Sequence, residues 1–168
     1  MPADSLKRLL LILPLLALVS CAGHVREPEA FRFTILYTAD THGHVASSPD
    51  TIGLDQVAGV KKALEPALLL DAGDFSDGTP QAVLGKGEDM VALMKKAGYF
   101  AAALGNHEFT YGRDVLSQRM AQAAEGPDSM AVLSANVTKP DGGTLAAPFA
   151  RTTLAGVTIC VYGLTTPE

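Results

Sequence analysis

The chain has no tryptophan, only two cysteines, 6% aromatic residues and no place where its 13 lysines and arginines gather into a basic cluster. Two cysteines cannot staple a small disulfide scaffold. A formal net charge of −5 without a basic face excludes a general binder of nucleic-acid polymers, because such a protein must neutralise phosphates. No internal repeat is visible, which sets aside repeat architectures. The apolar run Leu9–Val19 is eleven residues long and interrupted by Pro14, short of the ~20 that cross a bilayer as a helix. What remains is 168 residues with 48% hydrophobic content, rich in Ala, Leu and Val, which predicts one α/β domain with a core of its own.

The N-terminal segment is set apart from that domain. Lys7 and Arg8 precede the apolar run, the pattern of a signal peptide over residues 1–20. Leu18-Val19-Ser20-Cys21 resembles a bacterial lipoprotein box, which implies that Cys21 is lipidated and becomes the mature N-terminus. Residues 21–30 are then a tether to a membrane surface, and the protein is exported, either periplasmic or on the cell surface. The alternative is an ordinary secretory signal with a chance cysteine. Cys160, inside the β-like run Val157–Gly163, is expected to be a small core residue, and no disulfide is expected.

Downstream, strand and helix patterns alternate. Phe33–Ala39, Leu68–Ala72, Tyr99–Leu104 and Ala131–Ala135 read as short strands, the second suited to burial on both faces. Helical periodicity over 54–64, 88–97 and 114–124 separates them, and Phe75–Gly87 reads as a Gly-rich loop. This alternation implies a parallel sheet flanked by helices, with crossovers of one hand. Phe149–Leu154 and Val157–Leu164 flank Ala155-Gly156, a hairpin that would make the sheet mixed.

Three of these strands run into polar, metal-ligand chemistry: Asp40-Thr41-His42, Gly73-Asp74 and Gly105-Asn106-His107-Glu108. An Asp before or after a Gly is often only a turn former, and a single His says less still. Parallel strands, however, place their C-terminal ends along one edge, so Asp40, His42, Asp74, Asn106 and His107 face one crevice. Carboxylates so gathered repel one another unless a cation joins them, and the mixture of carboxylate, amide and imidazole suits Mn, Fe or Zn better than Ca. Two ions ~3.5 to 4 Å apart can clamp the attacking and leaving oxygens of an in-line displacement at phosphorus.

These three motifs resemble those of the calcineurin-like metallophosphoesterases, and the wording Leu36–His44, Asp71–Asp74 and Leu104–Gly112 is similar to the 5′-nucleotidase branch. The resemblance covers residues 31–168 and implies the N-terminal part of the catalytic domain, an incomplete αββα sandwich with its site at the C-terminal strand ends. It implies two divalent ions, one held by Asp40 and His42, both bridged by Asp74, the second held by Asn106, with His107 catalytic against the phosphoryl group of a small phosphate ester, most readily a nucleotide. His44 and Glu108 are expected to give structural support, and Asn136 to cap a turn. Two departures stand out. The third residue after the catalytic His is often an orienting Asp in 5′-nucleotidases and is Thr110 here, and the family's later Gly-His motifs are absent, since no histidine follows His107. A missing C-terminal part of the domain, weak metal binding and poor turnover are therefore expected. Alternatives within the superfamily are a thiosulfohydrolase-like or cyclic-nucleotide hydrolase, and outside it a non-catalytic surface lipoprotein that kept the scaffold.

Overall fold

The computed structural model describes residues 30–166; the signal peptide, Cys21 and most of the tether expected above lie outside the described residues. The strands are β1 (Thr34–Thr38), β2 (Ala67–Asp71), β3 (Ala101–Ala103), β4 (Ala131–Leu133), β5 (Phe149–Leu154) and β6 (Val157–Tyr162). The helices are α1 (Leu54–Ala63), α2 (Pro80–Gly85), α3 (Glu88–Ala97) and α4 (Arg113–Ala124). Strands β1 to β4 form a parallel sheet in sequence order, and β5 and β6 form a separate antiparallel hairpin. The antiparallel component of the fold therefore sits beside the parallel sheet, joined to it by a bridge between Leu133 and Ala147.

Sequential order has a physical consequence. Crossovers of one hand, taken without reversal, deliver every helix to the same face of the sheet. The core lies on that face: Leu36, Leu69, Ala102 and Val132 from the four strands pack with Leu54 of α1, Ala82 of α2, Met90, Val91 and Met94 of α3 and Ala123 of α4. In α3, Glu88 and Asp89 open the helix and Lys95 and Lys96 close it, in line with the helix dipole. Gly98 at φ 81° ends it. On the opposite face Ile35 and Tyr37 are exposed, and the central strands share an open groove of about 300 Å³ with Val161, Tyr162 and Leu164.

Two expectations need correction. Phe75–Gly87 is not all loop: Thr79 caps α2 by accepting a hydrogen bond from Ala82 N–H, and Pro80 occupies the first turn. Cys160 is exposed, not core. Strand alternation explains the second: Val157, Ile159 and Val161 are the half-buried set of β6, and Cys160 has the parity of exposed Thr158 and Tyr162. The two-residue turn of that hairpin stands as expected, with Ala155 at φ 48° and Gly156 at φ 79°, the left-handed pair that suits strand twist.

β2 ends on a buried carboxyl, Asp71, which accepts hydrogen bonds from Thr38 Oγ1 and from Gly73 N–H at 2.8 Å. Burial raises its pKa from 3.8 to about 7 against those hydrogen bonds, with the charges of Glu108 and Asp40 adding to the rise. An acid whose folded pKa lies above its unfolded value contributes stability fully below the unfolded pKa. That contribution fades as pH climbs to the folded pKa, and the displacement from 3.8 to about 7 corresponds to at most about 4 kcal/mol. Urea unfolding of the metal-free protein should therefore show Asp71→Asn losing less stability than wild type between about pH 4 and 7; equal slopes would contradict this account.

Candidate metal centre

Three loops leave the C-terminal ends of β1, β2 and β3, and backbone hydrogen bonds lock the first two together. Asp40 N–H donates to Gly73 O at 3.0 Å, His42 N–H to Asp74 O at 2.9 Å, and Thr79 N–H to His42 O at 3.1 Å. The third loop is seated by carboxylates: His107 N–H donates to Asp74 Oδ1 at 2.9 Å. It also approaches so closely that only glycine fits. A Cβ on Gly105 would lie 2.2 Å from Asp74 Oδ1, and one on Gly73 would lie 2.6 Å from Gly105 N. The glycines of Gly-Asp and Gly-Asn are thus a packing requirement between loops.

Asp40, His42 and Asp74 have φ of 52°, 43° and 59°. Left-handed backbone in residues other than glycine is uncommon, though Asp and His tolerate it better than most. Three such residues in two adjoining loops are the kind of backbone strain that clusters at functional sites.

The structure brings His42, Asp74 and His107 together, each with a ligand atom within 4.8 Å of the others. The two imidazoles meet edge to face, with centroids 4.6 Å apart and planes at 89°. One carboxylate and two imidazoles that can converge on a point fit a borderline divalent ion. Asp40 lies exposed at the end of β1, outside that cluster. Asn106 is half-buried and precedes the short turn of 3₁₀ helix His107–Phe109. His44 is exposed, and Asn136 caps the chain after β6, accepting from Thr165 N–H at 2.9 Å.

Beneath the cluster sits Glu108, 5% exposed. Its Oε2 accepts from Asp74 N–H at 2.9 Å and Gly105 N–H at 2.8 Å, and its Oε1 from Phe75 N–H at 3.0 Å and Ser76 N–H at 3.1 Å. The supporting role expected of Glu108 thus has a concrete form.

Asp77 is a residue that the motifs do not single out. Its carboxylate straddles His107 Nδ1, with Oδ2 at 3.0 Å in hydrogen-bonding line and Oδ1 at 2.8 Å in Coulombic contact. The Asp77 hydrogen bond holds the His107 pKa above its ordinary value. Burial pushes the Asp77 carboxyl up, but hydrogen bonds from His107 and Thr110 outweigh it and leave the pKa below the usual range. Nothing in local spacing links residues 77 and 107; the available signal was the loop itself, an Asp held three residues past Asp74 and followed by Gly78.

A parallel α/β sheet whose strand-end loops gather imidazole and carboxylate groups belongs to the class of open α/β proteins that bind ligands beyond the carboxyl ends of their strands. Residues 33–165 match the calcineurin-like phosphoesterase pattern, and the chain belongs to that family, whose members bind divalent metals. It is 32% identical to a 5′-nucleotidase of Vibrio parahaemolyticus over 90% of this chain and 29% of that protein. It is 36% identical to the snake venom 5′-nucleotidase of Gloydius brevicauda over 77% of this chain and 24% of that one. Among solved structures, a 5′-nucleotidase precursor of Thermus thermophilus superposes with a TM-score of 0.67 at 30% identity, covering 79% of this chain and 28% of its own. The chain therefore spans 24% to 29% of the length of these two curated relatives.

Removing the Glu108 carboxylate should disorganise the site from below. Glu108→Ala leaves four buried or half-buried backbone donors without an acceptor, at about 1–3 kcal/mol each before water enters. Chemical denaturation is expected to show a loss of roughly 3 kcal/mol or more. A loss below about 1 kcal/mol would mean that the loops hold one another without it.

Proposed function

We propose that the chain carries the first metal-holding half of a phosphomonoesterase that hydrolyses nucleotides outside the cytoplasm. The observation that carries this reading is the convergence of His42, Asp74 and His107 from three strand-end loops, in a chain whose family is the calcineurin-like phosphoesterases. The similarity to proteins named 5′-nucleotidases supports the nucleotide as substrate.

In this proposal Asp40, His42, Asp74 and Asn106 would hold two divalent ions. Mn, Zn or Fe bound there would supply positive charge that polarises the phosphate and activates water near neutral pH. The protein's own part is positional. Asp74 is fixed by the close approach of Gly105 and by its bond to His107 N–H, and His107 offers its second ring nitrogen to the phosphoryl group or the leaving oxygen.

Location is part of the proposal. Acyl chains on Cys21 would hold the domain on a membrane surface through residues 21–30, since each buried CH₂ contributes roughly 0.8 kcal/mol. Among the described residues no helix is long and apolar enough to cross a membrane.

Two experiments test these statements. With Mn²⁺ supplied, hydrolysis of AMP and of an aryl phosphate should be detectable, vanish on chelation and fall about 100-fold in His107→Ala. Turnover that survives both chelation and the substitution would contradict the proposed chemistry. For the anchor, Cys21→Ala should move the exported protein from the membrane fraction to the soluble one; unchanged fractionation would indicate an ordinary secretory signal.

A further inference from the structure

The His107 imidazole is met by a carboxylate from outside its own loop. It comes from the β2–α2 loop, 30 residues away: Asp77 Oδ2 lies 3.0 Å from His107 Nδ1, and Thr110 Oγ1 donates to the same oxygen at 3.1 Å. We infer that Asp77 is the positioning residue of His107 and that Thr110 seats it.

Asp77 is suited to this role on three counts. Its side chain is only 11% exposed, so little water competes for it. Its loop is fixed by groups other than His107's ring, because Glu108 takes the N–H groups of Phe75 and Ser76, and Gly78 packs against His42. Its second oxygen, Oδ1, lies 2.8 Å from the same His107 Nδ1 and 3.5 Å from His42 Nδ1. One carboxylate thus faces the Nδ1 of both imidazoles. A carboxylate that accepts from Nδ1–H selects that tautomer and leaves Nε2 as the free nitrogen. For His107 this is the nitrogen that meets substrate, in a role that rests on the phosphoesterase reading above.

The test reads the tautomer directly, without metal or substrate, so it stands apart from whether the chain hydrolyses nucleotides. Long-range proton–nitrogen spectra of the ¹⁵N-labelled, metal-free chain are recorded in mildly alkaline solution, and His107→Gln identifies the ring. Wild type should hold His107 in the Nδ1–H form. Asp77→Ala should lower the ratio of Nδ1–H to Nε2–H on the order of tenfold, as loss of a charged hydrogen bond requires. Asp77→Thr combined with Thr110→Asp, which places a carboxylate at the third position after His107, should restore it. An unchanged ratio in Asp77→Ala overturns the inference. Should Asp77→Ala fail to fold, the isosteric Asp77→Asn decides: a several-fold fall supports the inference, and a wild-type ratio overturns it.

Discussion

One buried carboxylate organises the site. Glu108 sits below three converging loops and accepts four backbone N–H groups, three from the turn after β2 and one from the turn after β3. Those donors point inward, away from any secondary-structure partner, and without an acceptor each would be costly to bury. With the acceptor in place the turn after β2 can curl tightly enough to carry Asp74 at φ 59° and to press Gly73 against Gly105. Asp74 and His107 are then neighbours by construction, and Asp77 arrives beside His107 on the same turn. Glu108 contributes no ligand to the cluster, yet three of the groups that define the chemistry depend on where it holds the backbone.

The sheet supplies the stage for those loops. Sequential β1 to β4 with helices on one face leaves each C-terminal strand end free to run into a loop on the same edge. The opposite face remains partly open, with Tyr37, Tyr162 and Leu164 exposed around a shallow groove. Buried Asp71, at the end of β2, shows what placing acids near that edge costs: burial and neighbouring carboxylates together favour its neutral form.

Much of this was legible in the sequence, for identifiable reasons. Long periodic segments such as Glu88–Ala97, with acid first, lysine last and Gly98 after, announce a helix at every level. The three polar motifs were legible because each directly follows an apolar run. α2 was not, since six residues between glycines carry too little periodicity, although Thr79-Pro80 marks its start. Cys160 was misplaced because a hydrophobic run says strand without saying which parity faces inward. Asp77 was invisible as a partner of His107 for a different reason. Their contact spans 30 residues and depends on how two loops pack, a relation that local pattern does not encode.

We propose that these strand-end loops hold divalent metal through Asp74. Calorimetric titration of Mn²⁺ into the metal-free chain, alongside Asp74→Asn, decides this. The wild type should bind saturably and the variant at least tenfold more weakly, a loss of about 1.4 kcal/mol or more of binding free energy. Identical isotherms for the two proteins, or no saturable binding by the wild type, would contradict it.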